Sequence, residues 1–200
     1  SDLDLVFLHD SQGEPAETAG PTVIENSEFF AKLARRIISI ATMHTTRGPL
    51  YEVDTWLRPS GRAGLLVSSV AAFEHYQGGE AWTWEHQALL RSRFIVGDAG
   101  VGRAFEEVRT RVLTTRVHLD RLRQDVREMR ARMLPELSRG TPERFDIKHD
   151  RGGITDIEFI VQYLVLSEAP NHADLVRYSD NIRQLEGIAR HGILAPPEAE

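Results

Sequence analysis

Two carboxylates one residue apart inside an apolar run constrain this chain more than any other feature. In Ser1-Asp2-Leu3-Asp4-Leu5-Val6-Phe7-Leu8-His9-Asp10 the alternation is that of a β-strand, whose successive side chains point to opposite faces. Asp2 and Asp4 then share one face, roughly 6–7 Å apart along the chain, with Leu3, Leu5 and Phe7 on the other. A paired carboxylate edge suits Mg²⁺, which keeps several waters and is usually held by one or two carboxylates together with substrate phosphates. The cargo expected with it is a nucleotide. The same spacing also serves as a solvated edge that opposes strand-to-strand aggregation, and a second acidic strand is what raises the metal reading.

That second strand is Leu50-Tyr51-Glu52-Val53-Asp54-Thr55-Trp56-Leu57-Arg58, which alternates so that Glu52, Asp54, Trp56 and Arg58 share a face. Neighbouring strands lie about 4.8 Å apart, so Asp54 comes within reach of an ion held by Asp2 and Asp4. Three carboxylates can clamp Mg²⁺ at a triphosphate, where the metal orients the phosphoryl group and neutralises developing charge. Arg58 carries a fixed fork of donors suited to phosphate oxygens. For Asp54 and Arg58 taken singly, a same-face ion pair explains each residue as well.

The surrounding chain supplies a frame. Ser11 to Pro21 reads as an exposed loop. Phe30, Leu33, Ile37, Ile38 and Ala41 recur at helical spacing over Ser27 to Ala41, with Asn26 or Ser27 able to cap the start, and predict a helix packed on a sheet. His44 to Pro49 is a turn, Pro59 to Gly64 breaks the second strand, and Leu65-Leu66-Val67 opens a third.

Composition removes several function classes. The 200 residues are 41% hydrophobic and suit one or two globular domains. With no cysteine there is neither a disulfide framework nor a thiolate zinc site or nucleophile, and a reducing cytoplasm is the expected home. A net charge of −6 offers no basic surplus for nucleic acid. No run of 18 apolar residues and no leader peptide is visible, so no membrane partner is expected. Because the chain opens on Ser1 within a strand, it is expected to be a piece of a longer polypeptide.

The second half reads as helices. Glu80 to Arg93 forms one, with Trp82 and Trp84 expected in the core and Glu85 and His86 on a solvated face. Leu119, Leu122, Val126, Met129, Met133 and Leu137 make the seam of a long helix, whose arginines pair with acidic neighbours such as Asp125 and Glu128. Thr155-x-x-Glu158 is a capping box for a helix carrying Ile157, Ile160, Val161, Leu164 and Val165. The glycines before it and Lys148 equally suit an anion-receptive corner. Ile182, Leu185, Ile188 and Ala189 give a last helix within Tyr178 to Gly192, ending near Pro196-Pro197.

Five blocks, in order, resemble bacterial glutamine synthetase adenylyltransferase over nearly the whole chain: Ser1 to Phe7, Tyr51 to Gly61, Glu80 to Leu89, Phe145 to Lys148, and Gly152 to Phe159. The resemblance implies an α+β fold. A polymerase β-like nucleotidyltransferase core with a small mixed β-sheet would occupy residues 1–100, followed by a helical bundle over 101–200. It further implies Mg²⁺-dependent transfer of AMP from ATP to a tyrosine hydroxyl of glutamine synthetase, with release of pyrophosphate. Asp2 and Asp4 match the family's metal pair and Asp54 the third carboxylate. Ser1 would help hold the triphosphate through its hydroxyl and amide, and Arg58, Ser60, Lys148 and Glu158 are the further candidates for binding the nucleotide. The family motif has a glycine before the serine, which is expected upstream of Ser1. A PII signalling protein is the implied regulator.

The Trp-Thr-Trp-Glu-His and Gly-Gly-Ile-Thr-Asp-Ile-Glu-Phe wordings resemble the AMP-attaching C-terminal half of that two-part family. The phosphorolytic, AMP-removing half is the alternative. A non-catalytic interaction domain is a reading of another class, and a nucleotide-sugar glycosyltransferase shares only the Asp-x-Asp.

Overall fold

In the computed structural model the structure describes residues 2–11, 16–115, 119–141 and 143–194, with the side chains of Asp2 and Arg62 outside that description. The first acidic run forms two short strands, β1 (Asp2–Asp4) and β2 (Phe7–His9). β1 pairs in parallel with β5 (Glu52–Asp54), and β2 in parallel with β6 (Val67–Ser69). A single strand was expected here, and the division has a local cause. The Leu5 amide still donates to the Asp54 carbonyl at 2.8 Å. At Asp54 β5 ends, so the chain beyond Leu5 takes its hydrogen bonds from β6.

Parallel strands need a crossover, which α1 (Asn26–Ala41) supplies between β1 and β5. It packs on β5 and β6. Glu25 precedes the first turn without a side-chain cap, and the Ser27 hydroxyl donates to the Glu25 carboxylate instead, so neither Asn26 nor Ser27 caps the helix. The expected turn at 44–49 is a small hairpin, β3 (His44–Thr45) and β4 (Gly48–Pro49). β6 runs straight into α2 (Val70–Gly79), whose N-cap Ser69 accepts the Ala72 amide at 3.1 Å.

The remaining helices are α3 (Thr83–Arg91), α4 (Ala99–Thr115), α5 (Leu119–Leu137), α6 (Ile154–Glu168) and α7 (Asn181–Arg190). The chain is thus α+β. It divides into two compact units, one of Ser1–Glu80 with Val96–Phe105, the other of Ala81–Ile95 with Glu106–Glu200. The first unit contains the strands, α1 and α2, and buries Ala34, Val67, Phe73 and Phe105, the two phenylalanine rings 6.0 Å apart.

The second unit is helical, and polar side chains share its interior. On α3, Thr83, Glu85, His86 and Gln87 are buried while Trp82 is 70% exposed. This reverses the expectation for that segment. The reason is visible in the partners: Glu85 accepts the Trp82 amide (2.9 Å), Thr83 donates to Asp125 (2.5 Å), and Gln87 donates to Gln162 across to α6 (2.7 Å). A polar group buried with a partner loses little, whereas Trp82, at the N-cap, and Trp84 are both exposed.

Arg109 on α4 is the largest of the deeply buried side chains, at 2% exposure. Its guanidinium donates to three main-chain carbonyls, those of Leu89 (3.1 Å), Leu90 (2.6 Å) and Val176 (2.7 Å). Burial pushes its pKa down and Glu106, 3.6 Å away, pushes it back up. These bonds close the C-terminal end of α3, where carbonyls lack helical partners.

Candidate functional site

The parallel register sets Leu3 beside Val53 and Asp4 beside Asp54. Side chains of partnered residues project to the same face of a sheet, so two carboxylates from distant parts of the sequence stand side by side at the end of β5. Asp4, Glu52, Val53, Asp54, Thr55 and Trp56 line an open cleft of about 300 Å³ there. Asp2 is paired with Glu52, and its side chain, the remaining member of the expected carboxylate set, is outside the described atoms. Ser1 is outside them altogether. Among the described side chains no cluster of three or more His, Asp or Glu has metal-holding geometry.

The expected strand through Arg58 stops at Asp54 because the Asp54 carboxylate folds the chain back on itself. One of its oxygens accepts the Trp56 amide at 2.7 Å, the local turn that aspartate forms with the backbone two residues on. The other takes no hydrogen bond among the described residues. Arg58 therefore does not follow Asp54 along one strand face. Its Nη1 donates to the Thr55 carbonyl (2.7 Å) and hydroxyl (2.9 Å), and its Nε to the Gly64 carbonyl (3.3 Å).

Between those anchors the loop is tightly wound. Ser60 adopts the left-handed conformation at φ 60° and ψ 17°, followed by Gly61 at φ 52° and a 3-10 turn over Gly61–Ala63. Gly64 passes so close to the Pro59 carbonyl that a Cβ would overlap it. Ser60 itself is exposed.

Lys148 and Glu158 belong to the helical unit. Glu158 lies 3.2 Å from Arg91, which also donates to Asn181 at 3.0 Å. The expected capping box is absent: α6 begins at Ile154 after Gly153, and Thr155 is already buried inside the helix. Asp156 organises this start instead, accepting Arg130 Nε (2.5 Å) and the Gly152 amide (2.6 Å). Burial would raise the Asp156 pKa, but those two donors outweigh it and hold the carboxyl below the usual range. Asp146 accepts the amides of Arg139, Lys148 and His149, while Asp150 accepts the Ser138 hydroxyl and the Asp146 amide. Lys148, carried on this loop, is exposed.

The sequence profile of glutamate-ammonia ligase adenylyltransferase matches residues 1–108. The chain belongs to that adenylyltransferase family. A second profile, GlnD PII-uridylyltransferase, matches residues 111–200. Among curated proteins, the bifunctional glutamine synthetase adenylyltransferase/adenylyl-removing enzyme of Thioalkalivibrio sulfidiphilus is 54% identical over 199 residues, covering all of this chain and 20% of its own length. Its counterparts in Hahella chejuensis and Pseudomonas aeruginosa are 50% and 51% identical over 100% and 98% of this chain, in each case 21% of the relative. The chain thus spans about a fifth of the adenylyltransferases it matches. Among its described residues no helix is long and apolar enough to cross a membrane.

Proposed function

We propose that this chain forms the metal and nucleotide end of an AMP transfer from ATP to a tyrosine hydroxyl of glutamine synthetase. The observation that carries the proposal is the Asp4–Asp54 register pair at an open cleft. The donor set fits Mg²⁺: hard carboxylate oxygens, a wet surround that lets the ion keep water, and one Asp54 oxygen unengaged among the described residues. Asp2, Asp4 and Asp54 would hold the ion, within a polymerase β-like core. When bound, it supplies charge neutralisation at the triphosphate. The protein's own part is to fix the carboxylates and orient ATP so that the tyrosine oxygen attacks the α-phosphorus in line. The bond from the α-phosphorus to the bridging oxygen then breaks, pyrophosphate leaves, and the phenolic proton passes to base or water.

The family profile over residues 1–108 and the names of the relatives support this reading. Those names cover both attachment and removal, and the wording of the later blocks favours attachment. The test is label transfer to unmodified glutamine synthetase from ATP labelled at the α- or the γ-phosphate, with the chain in its full-length parent. Protein-bound α label without γ label is the expected result. Bound γ label would mean kinase chemistry. Phosphate-dependent release of ADP from adenylylated glutamine synthetase, with no α-label transfer, would assign the chain to removal. No reaction of either kind, without Mg²⁺-ATP binding, would favour a non-catalytic domain. A PII protein is the proposed regulator, read out as a change in the transfer rate on its addition.

A further inference from the structure

Arg58 has the donors for a phosphate clamp, yet its guanidinium already serves the chain that carries it. Nη1 holds both the carbonyl and the hydroxyl of Thr55, and Nε holds the carbonyl of Gly64. One planar group thereby joins the two ends of the loop. The Arg58 amide also donates to the Thr55 carbonyl at 3.4 Å, so Thr55 is gripped by backbone and side chain together. Thr55 lies between Asp54, whose carboxylate lines the cleft, and Trp56, whose amide that carboxylate accepts. Fixing the Thr55 peptide fixes the turn, and the turn fixes the direction of the carboxylate.

We propose that Arg58 is a positioning residue: by stapling Thr55 to Gly64 it aims the Asp54 carboxylate into the cleft. The role of Asp54 as a metal ligand rests on the function proposed above, whereas the staple does not. Partners that orient a ligating side chain are worth about 10–100-fold in metal affinity. The staple also accounts for the conformation of Ser60. A serine at φ 60° is held against its own preference, and such backbone persists only where its surroundings over-determine it. The two anchored ends and the 3-10 turn over Gly61–Ala63 do so here.

Arginine is needed because donors at Nε and Nη1 must lie in one rigid plane; a lysine offers a single point of attachment. Arg58→Lys should therefore fail to restore the geometry while keeping the charge. Thr55→Val, which removes one acceptor and preserves the shape, should act in the same direction with a smaller effect.

The experiment is amide hydrogen exchange by NMR on the 200-residue chain, with circular dichroism to show that each variant is folded, followed by a titration with Mg²⁺ alone and then ATP at saturating Mg²⁺. In Arg58→Lys the Trp56 amide should exchange about 10-fold faster, from loss of its carboxylate acceptor. Half-saturation by Mg²⁺ should rise about 10–100-fold, with ATP affinity at saturating Mg²⁺ unchanged. An unaltered Trp56 amide and Mg²⁺ affinity, with ATP affinity alone reduced, would overturn the staple and make Arg58 a phosphate contact. Faster Trp56 exchange in a chain that binds no Mg²⁺ even as wild type would uphold the staple and sink the metal reading. If Arg58→Lys does not fold, an unchanged Trp56 amide in Thr55→Val overturns the proposal.

Discussion

Asp4 and Asp54 are partners in a parallel strand pair, one from each end of a crossover, with their carboxylates on the same face. Like charges so placed destabilise a sheet by about 0.2–1 kcal/mol. Asp54→Asn keeps the oxygen that accepts the Trp56 amide and removes the charge. In metal-free buffer it should raise stability by an amount in that range, measured by thermal unfolding. The same variant should weaken Mg²⁺ binding and AMP transfer by at least about 100-fold, more than the loss of an orienting partner. A variant that is more stable and equally active would remove Asp54 from the site.

Arg109 makes a stability prediction for the helical unit. Arg109→Met removes the guanidinium donors of the Leu90 and Val176 carbonyls in a dry interior and leaves the Leu89 carbonyl to the amide and hydroxyl of Ser92. Leaving a buried acceptor unsatisfied costs about 1–3 kcal/mol per group. Urea unfolding should show a loss of that size, and Arg109→Lys should recover only part of it, because an ammonium cannot span three carbonyls in one plane.

Gly153 is the residue before α6, and a Cβ there would lie 2.7 Å from the Ile147 carbonyl and 3.0 Å from that of Asp150. Neither atom is the end of a flexible side chain. Gly153→Ala should cost about 1–3 kcal/mol, visible as a lower melting temperature with unchanged helix content in the folded state.

Acid should act through Asp156. Its folded-state carboxyl titrates below the usual carboxylate range despite burial, held there by the Gly152 amide and Arg130. A carboxyl depressed by folding contributes stability that is complete above its unfolded pKa near 3.8 and is lost as the pH falls through the lower folded value. Asp156→Asn should therefore be less stable than wild type at pH 7, and the two unfolding curves should converge as the pH drops below about 4.

His9 acts in a higher window. Its ring stacks on Phe30 at 4.8 Å, and its Nδ1 accepts the Ser11 amide, which requires that nitrogen to be unprotonated. Burial lowers its pKa from 6.5, against a smaller upward pull from Asp10. Stability from the neutral ring is present above 6.5 and falls as the pH drops from there towards the folded value. Wild type should lose stability between pH 7 and pH 5, and His9→Gln should lose less over the same range in parallel thermal melts.

The pairing of the two acidic segments was legible from their alternation, because period two is a local signal that β1 and β5 both carry. So was α5 as a helix, although of its expected seam Leu122 and Val126 alone are buried, Met129 and Met133 are half-buried, and the end residues Leu119 and Leu137 are exposed. The place where β5 ends was not legible. Asp54 reads equally as a strand residue and as the first residue of a turn, and only the closed loop to Gly64 decides between them. Arg130 was hidden for another reason. Its helix neighbours offer acidic partners, yet its Nε reaches Asp156, 26 residues further on. The interior of α3 defied the usual sorting of side chains because Gln87 and Thr83 find their partners on α6 and α5. A local window contains no trace of a hydrogen bond that distant.

The parallel pairing of β1 with β5 also sets when the carboxylate pair comes into being. The hairpin of β3 and β4 and each helix can nucleate from neighbours in sequence. The Asp4–Asp54 partnership must await the folding of α1 and the closing of the long connection it spans, since that loop entropy is met before any ladder bond repays it. As the chain leaves the ribosome, Asp4 emerges well before Asp54, which is its partner across the strand pair. Asp4 acquires its counterpart only after the whole crossover has been synthesised, so a truncated product ending before β5 lacks the carboxylate pair.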